Sequence, residues 1–135
     1  MIHLLDVNVL LALGFDAHEH HGRVAAWVAS LPAGDELATC PITELGFVRV
    51  LRQAAAYQVT IADAKELLRR LKASRSRRCI LLPDHHGAAR LPGWVKTARQ
   101  TTDGHLLVLA RAHGADLVTL DRGIPGARVL PAAQP

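Results

Sequence analysis

TTDGHLLVLARAHGADLVTLDRG, residues 101–123, is the segment that decides the fold. Its first half has the apolar spacing of a helix up to Gly114, and residues 117–120 form a short apolar run that predicts a buried strand. Asp103 therefore lies in the first helical turn, and Asp121 directly follows a strand. In parallel α/β sheets, the carboxyl ends of strands and the starts of the following helices meet at one edge, where ligands bind.

The order of strand, acid and helix occurs twice more. Residues 2–5 form an apolar run ended by Asp6, and a strand over 36–40 precedes a helix that begins at Pro41 and carries Glu44 in its first turn. The residues four and seven positions after Glu44 are apolar, so this acid lies on a core-facing stripe and needs a partner. The pattern predicts an α/β fold, a small parallel sheet with helices on both faces, and four acids at one edge: Asp6, Glu44, Asp103 and Asp121.

Length and composition predict one domain. The chain has 135 residues, 50% of them hydrophobic, which suffices for a single core. We expect the domain to span residues 1–131 and a disordered tail to occupy 132–135. No apolar run approaches the roughly 20 residues of a membrane span, and Asp6 and Asn8 interrupt the first apolar segment where a signal peptide would continue. We therefore expect a cytoplasmic protein.

Cysteine and histidine often bind metals, but we interpret both residue types in this chain as structural. Cys40 lies near the end of one predicted strand and Cys79 near the start of another, so we expect two buried thiols and no disulfide. His18, His20 and His21 lack the spacing of helical ligand pairs and have no cysteine beside them. A solvated helix start is the favoured interpretation of this cluster.

The helix that Thr60 caps has a basic end, and the cluster continues into the residues that follow. Six cations and no acid fall within ten residues: Arg69, Arg70, Lys72, Arg75, Arg77 and Arg78. This exceeds what the carboxyl end of a helix requires. The net charge of +4 also favours a polyanionic partner. We expect Arg75, Arg77 and Arg78 to bind phosphates of such a partner beside the acids, while a solvated face remains the alternative.

The acids themselves predict a metal. Two ionised carboxylates about 4 Å apart repel by roughly 4 kcal/mol at an effective dielectric of 20, so four at one edge require divalent cations. All-oxygen ligands select a hard cation, Mg²⁺ with Mn²⁺ as the possible substitute. Such a site activates water and neutralises the charge that develops on phosphorus, as metal-dependent nucleases and phosphatases do.

Three segments resemble the PIN-domain ribonuclease toxins of the VapC type: LLDVNVLLAL around Asp6, CPITELGFVRVL around Glu44, and TDGHLLVLARAHGADLVTLDRG around Asp103 and Asp121. The resemblance covers nearly the whole chain and is weakest over 74–99. It implies Mg²⁺-dependent endonucleolytic cleavage of RNA, often transfer or ribosomal RNA, by the four acids as metal ligands. It also implies a homodimer, inhibition by a cognate antitoxin similar to VapB, and three polar residues close to the acids: Asn8, Thr43 and Thr119.

Two positions depart from the family pattern. Gly104 follows Asp103 where a better helix former is usual, and Arg122 follows Asp121 with no further acid behind it. Upstream of this helix, residues 85–100 show no period and predict a long loop, with Trp94 and Val95 as its anchors to the core. An edge strand is predicted over 128–130.

The same residues also bear on three other functions. A phosphoacceptor signalling domain needs paired acids after an early strand, but Val7 follows Asp6, and a late lysine, but Asp121 stands in that place. A haloacid-type phosphatase needs a second aspartate where this chain has Asn8. A non-catalytic RNA-binding domain remains open, although only 4% of residues are aromatic and could stack on bases.

An apolar excess on the helices predicts a docking surface. We expect a homodimer whose apolar helical surfaces also receive the antitoxin, because one sheet face would not cover them all. The alternative is that these side chains all belong to the core. The residues concerned are Leu10, Leu11, Trp27, Leu67 and Leu71.

Overall fold

The computed structural model describes residues 1–131, and the predicted tail lies outside the described residues. Strands and helices alternate, as predicted for an α/β fold. They are β1 (Ile2–Leu5), α1 (Val7–Gly14), α2 (His21–Ser30), β2 (Glu36–Thr39), α3 (Pro41–Gln53), α4 (Ile61–Lys72), β3 (Cys79–Leu81), α5 (Gln100–Ala112), β4 (Asp116–Thr119) and β5 (Arg128–Val129).

All five strands are parallel, in the order β3-β2-β1-β4-β5. Leu4 of β1 lies opposite Ala38 of β2 on one side and Leu117 of β4 on the other. The strands therefore end together at what we call the carboxyl edge, formed by the residues that follow β1, β2, β3 and β4. They begin together at the opposite edge, which we call the amino edge.

Alternate strand residues serve two cores, because successive side chains point to opposite faces of a sheet. Leu5 and Val118 pack against α1 to α4 on one face. Leu4 and Leu117 pack against α5 on the other. The predicted parallel sheet with helices on both faces is confirmed.

Two glycines bring the site elements close together. A Cβ added to Gly46 of α3 would lie 2.7 Å from Cγ2 of Val7, so the starts of α1 and α3 touch. A Cβ at Gly104 of α5 would clash with Val95 and lie 3.1 Å from Cδ of Pro92. The glycine that departs from the family pattern therefore makes room for the loop before α5. That loop is anchored at Trp94 and Val95 as predicted, with one short helical turn at Ala88–Arg90.

The five helical side chains expected to form an apolar docking surface pack in or against the core instead. Leu10 and Leu11 are buried in the α1 core, and Trp27, Leu67 and Leu71 are partly buried against it. The large hydrophobic side chains that are exposed within residues 1–131 are instead Met1, Leu45, Ile61 and Leu81. No helix in this range has the length and apolarity to cross a lipid bilayer.

Both cysteines are free thiols. Cys40 follows β2 and is buried, whereas Cys79 begins the neighbouring β3 opposite Leu37 and is partly exposed. The prediction that Cys79 is buried is therefore only half right. Burial raises the pKa of the Cys79 thiol to about 11.

Candidate active site

Asp6 is held at the carboxyl edge by three neighbours. Its backbone N–H extends the sheet by donating to the carbonyl of Val118 at 2.9 Å. Its carboxylate caps α1, accepting from the N–H of Val7 at 2.7 Å and from Oγ1 of Thr119 at 2.7 Å. Burial raises the pKa of Asp6 and the charge of Asp121 adds to the rise, while these two hydrogen bonds oppose it.

Thr119, the last residue of β4, connects several groups at this edge through its hydroxyl. It is fully buried, and its hydroxyl accepts from Nδ2 of Asn8 at 3.3 Å and from the N–H of Asp121 at 3.0 Å while donating to Asp6. Oδ1 of Asn8 in turn accepts from the N–H of Leu120 at 3.2 Å. Asn8 and Thr119 thus lie beside the acids, where they were expected, and fix the turn that carries Asp121.

Asp103 lies in the first turn of α5, as the opening segment predicts. Its partial burial, followed by the charges of Asp6 and Asp121, raises the pKa of Asp103 to about 6, with Arg99 acting in the opposite direction. The three aspartates are therefore close enough to repel one another. Asp121 is exposed and its Oδ1 accepts from the N–H of Gly123 at 2.7 Å.

Glu44 has a different environment from the three aspartates. One oxygen of its carboxylate accepts from Oγ1 of Thr39 at 2.5 Å and from Nζ of Lys72 at 2.7 Å. The partner that its position on an apolar stripe requires is thus a lysine from α4. The repulsion that we inferred for four acids holds in this structure for three of them.

Thr39 was missed by the sequence analysis, and Thr43 has a different role from the one expected. Thr43 caps α3, exchanging hydrogen bonds with the backbone of Cys40 at 3.0 and 3.1 Å. It is Thr39, the last residue of β2, that contacts an acid. A threonine ends both β2 and β4, directly before the acid-bearing segments, and this repeated position is the signal that could have identified it.

Two of the three arginines expected to bind phosphates do not lie beside the acids. Arg77 and Arg78 directly precede β3, so they lie at the amino edge, and the predicted placement is wrong. The guanidinium of Arg77 donates to the carbonyls of Val28, Leu31, Pro32 and Asp35. Arg78 pairs with Glu36 at 3.1 Å and Arg75 is exposed. Arg77 therefore serves the fold, because both terminal nitrogens of its guanidinium donate to backbone carbonyls.

A second polar group follows β3 at the carboxyl edge and was also missed. Oδ2 of Asp84 lies 2.6 Å from Nε2 of His105, and its Oδ1 accepts from the N–H of His86 at 3.0 Å. These hydrogen bonds lower the pKa of Asp84 although its burial acts to raise it. The contact joins the segment after β3 to α5, the helix that carries Asp103.

The donor set of the carboxyl edge fits a hard cation. Across residues 1–131, no lysine, arginine or histidine pairs within 4.0 Å with Asp6, Asp103 or Asp121. The charge of Arg99 opposes their mutual repulsion without forming an ion pair with any of them. In the same range, no three His, Cys, Asp or Glu side chains converge closely enough to share one ion as they stand. The three aspartates can thus share one cation only after their side chains move toward it.

Comparisons with known proteins agree with this architecture. The PIN domain family matches residues 3–129. Ribonuclease VapC38 of Mycobacterium tuberculosis is 43% identical over 124 residues, covering 90% of this chain and 86% of that protein. Ribonuclease VapC39 of the same species is 34% identical over 128 residues, covering 92% and 91%.

Solved structures share the fold at low sequence identity. Mycobacterium tuberculosis VapC20, described as a toxin that cleaves the sarcin-ricin loop, superposes with a TM-score of 0.64 at 16% identity, covering 96% of this chain and 99% of the other. VapBC2 of Rickettsia felis, bound to a promoter DNA fragment, gives 0.60 at 13% identity, covering 96% and 97%. The family match and the identity to the two ribonucleases place this chain in the PIN-domain family, among the VapC-type ribonuclease toxins.

Proposed function

We propose that the protein is a Mg²⁺-dependent endoribonuclease that hydrolyses phosphodiester bonds in transfer or ribosomal RNA, with Mn²⁺ as an alternative ion. The observation that carries the proposal is the group of three aspartates at the carboxyl edge, where partial burial and the charges of Asp6 and Asp121 raise the pKa of Asp103 to about 6 although Arg99 opposes the rise. Membership in the VapC-type ribonucleases supplies the substrate class.

All four acids bind the metal ion in this proposal, and two polar residues keep them in place. Asp6, Asp103 and Asp121 hold the ion, and Glu44 joins them from α3. A divalent ion at this edge supplies an activated water and neutralises charge on the phosphate. Thr119 keeps Asp6 oriented through its hydroxyl, and Asn8 keeps the Asp121 turn in place. Such supporting contacts matter because they orient the groups that bind the metal.

The test is cleavage of a panel of purified transfer and ribosomal RNAs by the metal-free protein, with Mg²⁺, Mn²⁺ or excess chelator added. We expect internal cuts with either ion and none with chelator. Cleavage that persists in chelator, or RNA that is bound and never cut with either ion, would contradict the proposal. The second result would favour the non-catalytic RNA-binding alternative.

We further propose that a VapB-like antitoxin binds and inhibits the protein in the cytoplasm. The solved structures that share its fold include complexes of a VapB with a VapC. The protein encoded directly upstream is the candidate, and co-expression followed by co-purification tests it. Loss of RNA cleavage in the purified complex would support inhibition, and separate elution of the two proteins would contradict it.

The homodimer that we propose is centred on the exposed side chains of α3 and α4 rather than on the buried ones first expected. Leu45 is 67% exposed and Ile61 48%, and with Val48 they line one open cavity of about 410 Å³. Such a patch is costly to leave in water. Sedimentation velocity at micromolar concentration tests the dimer, with Leu45→Glu expected to yield monomers. A monomeric wild type would contradict it.

A further inference from the structure

The strongest unassigned feature is the cleft beside Glu44. It has a volume of about 510 Å³ and is lined by Glu44 of α3 together with Lys65, Leu68, Arg69, Lys72 and Ala73. The three cations are spaced by four and three residues, so they lie on one face of α4. This face leads directly to a proposed catalytic acid.

The three cations differ in how much of their charge is available. Arg69 donates two hydrogen bonds to Glu66, at 2.8 and 2.7 Å, so its charge is matched. Lys65 is exposed and forms no ion pair within the described part of the chain. Lys72 pairs with Glu44 but keeps 29% of its side chain exposed. An ammonium has three donors, so Lys72 can hold Glu44 and a further anion together.

We propose that Lys65 and Lys72 bind backbone phosphates of the RNA strand and lead it along α4 to Glu44. This inference rests on the proposed ribonuclease function. The two lysines are about 10 Å apart along the helix axis, so they hold separate phosphates. Phosphate contacts position a nucleic acid without reading its sequence, and cations on one face of a cleft that ends at the acids suit that role.

The geometry also favours this face over the cluster first expected to bind RNA. Arg77 is engaged by four backbone carbonyls and lies with Arg78 at the amino edge, across the sheet from the acids. Lys72 instead touches Glu44 at 2.7 Å. A strand bound along α4 therefore reaches Glu44, whereas one bound at the amino edge does not.

The experiment measures the salt dependence of binding to a fluorescent single-stranded RNA in chelator, so that nothing is cut. Lys65→Gln and Lys72→Gln should each reduce the slope of log affinity against log salt by about 0.7, the value for one phosphate contact on a single strand. Lys72→Arg should restore the slope. Arg70→Gln is the matched control, because Arg70 is on α4, is 70% exposed and does not line the cleft.

The outcomes separate this inference from the proposed function. A wild type that neither binds nor cleaves RNA overturns both. A wild type that cleaves with Mg²⁺, combined with unchanged slopes for both lysine variants, overturns this inference alone. The same holds if Arg75→Gln and Arg78→Gln lower the slope instead, or if the lysine changes weaken only antitoxin binding. Lys65 is exposed, so its variant remains informative even if Lys72→Gln fails to fold.

Discussion

Charged side chains have opposite environments at the two edges of the sheet. At the amino edge, Nε2 of the buried His3 lies 2.9 Å from Asp35, which also accepts from the terminal amine of Met1. Four carbonyls surround the guanidinium of Arg77. At the carboxyl edge, none of the ion pairs formed within residues 1–131 involves Asp6, Asp103 or Asp121. The amino edge uses its charges to hold the fold, whereas the carboxyl edge leaves its charges available to a ligand.

The difference cannot be inferred from residue type. Asp35 and Asp103 are both aspartates near the ends of elements, yet the hydrogen bond to His3 lowers the pKa of Asp35 while burial raises that of Asp103. Opposite shifts mean opposite contributions to stability. A carboxylate that destabilises the folded protein is a candidate for function, because the fold does not need its charge.

The largest effect is expected from Asp103→Asn. The change keeps the shape of the side chain and removes its charge, so we expect Mg²⁺-dependent cleavage to fall on the order of 100-fold or more. The metal-free variant should melt at a higher temperature than wild type, because repulsion with Asp6 and Asp121 is relieved. Cleavage rates and thermal melts in chelator measure the two effects.

Asp16→Asn is the matched control for that change, since the side chain of Asp16 is 96% exposed and lies apart from the site. It should alter neither cleavage nor melting. Full metal-dependent activity of Asp103→Asn would remove Asp103 from the proposed metal site.

Thr119→Val should lower cleavage by roughly 10-fold to 100-fold, the usual range when a contact that orients a metal ligand is lost. The valine cannot donate to Asp6 or accept from Asn8 and Asp121. Thr119→Ser keeps the hydroxyl and should retain most activity. Equal rates for the two variants, measured at saturating Mg²⁺, would show that the hydroxyl has no positioning role.

Arg77→Gln tests the opposite edge. Removing a cation from several backbone carbonyls should cost about 2 kcal/mol of unfolding free energy, measured by urea denaturation. Cleavage per folded molecule should stay at the wild-type level, because Arg77 lies across the sheet from the acids. Arg75→Gln, at an exposed neighbour, should leave stability unchanged. A loss of RNA affinity in folded Arg77→Gln would contradict the structural role.

The smallest effect is a pH dependence of opposite sign at the two edges. The folded pKa of Asp103 is about 6, above the ordinary aspartate value of 3.8, so the folded protein binds the proton more tightly. Its contribution to metal-free stability should therefore fall as pH rises from about 4 to about 6. The pKa of Asp35 is lowered, so its contribution should be lost as pH falls toward and below about 4.

Urea unfolding in chelator at several pH values measures both contributions, with Asp103→Asn and Asp35→Asn as the reference variants. The difference between wild type and Asp103→Asn should shrink as the pH falls. A wild type that is more stable than Asp103→Asn at neutral pH, with that advantage lost as the pH falls, would show that Asp103 has a cation partner in the folded protein, and the contrast between the edges would disappear.

Sequence predicts the features of this molecule that depend on local order. Asp6 and Asp121 follow apolar strands and Asp103 follows a helix start, so their common edge can be inferred from adjacent residues and the rule for parallel sheets. Asn8 and Thr119 come from the family resemblance and lie where it implies. Neither inference needs a contact between distant segments.

What the sequence analysis missed depends on such contacts. Lys72 and Glu44 are 28 residues apart, and Asp84 and His105 are 21 apart. Arg77 reaches carbonyls 42 to 49 residues earlier. A run of arginines has the same composition whether it meets phosphates or backbone, so only the packing of α2 and β3 distinguishes the two. Gly104 is a similar case, because a side chain at this position would clash with Val95, which belongs to another segment.

The hydroxyl of Thr119 has a consequence for the order in which the site is completed during synthesis. Asp6 leaves the ribosome early, but the hydroxyl that orients it lies 113 residues later, beyond Asp103 and just before Asp121. In a nascent chain whose β4 has not yet paired with β1, Asp6 lacks the hydrogen bond from Thr119. At least one other acid is also missing from the site. The protein therefore acquires its complete set of acids only as the last part of the domain emerges.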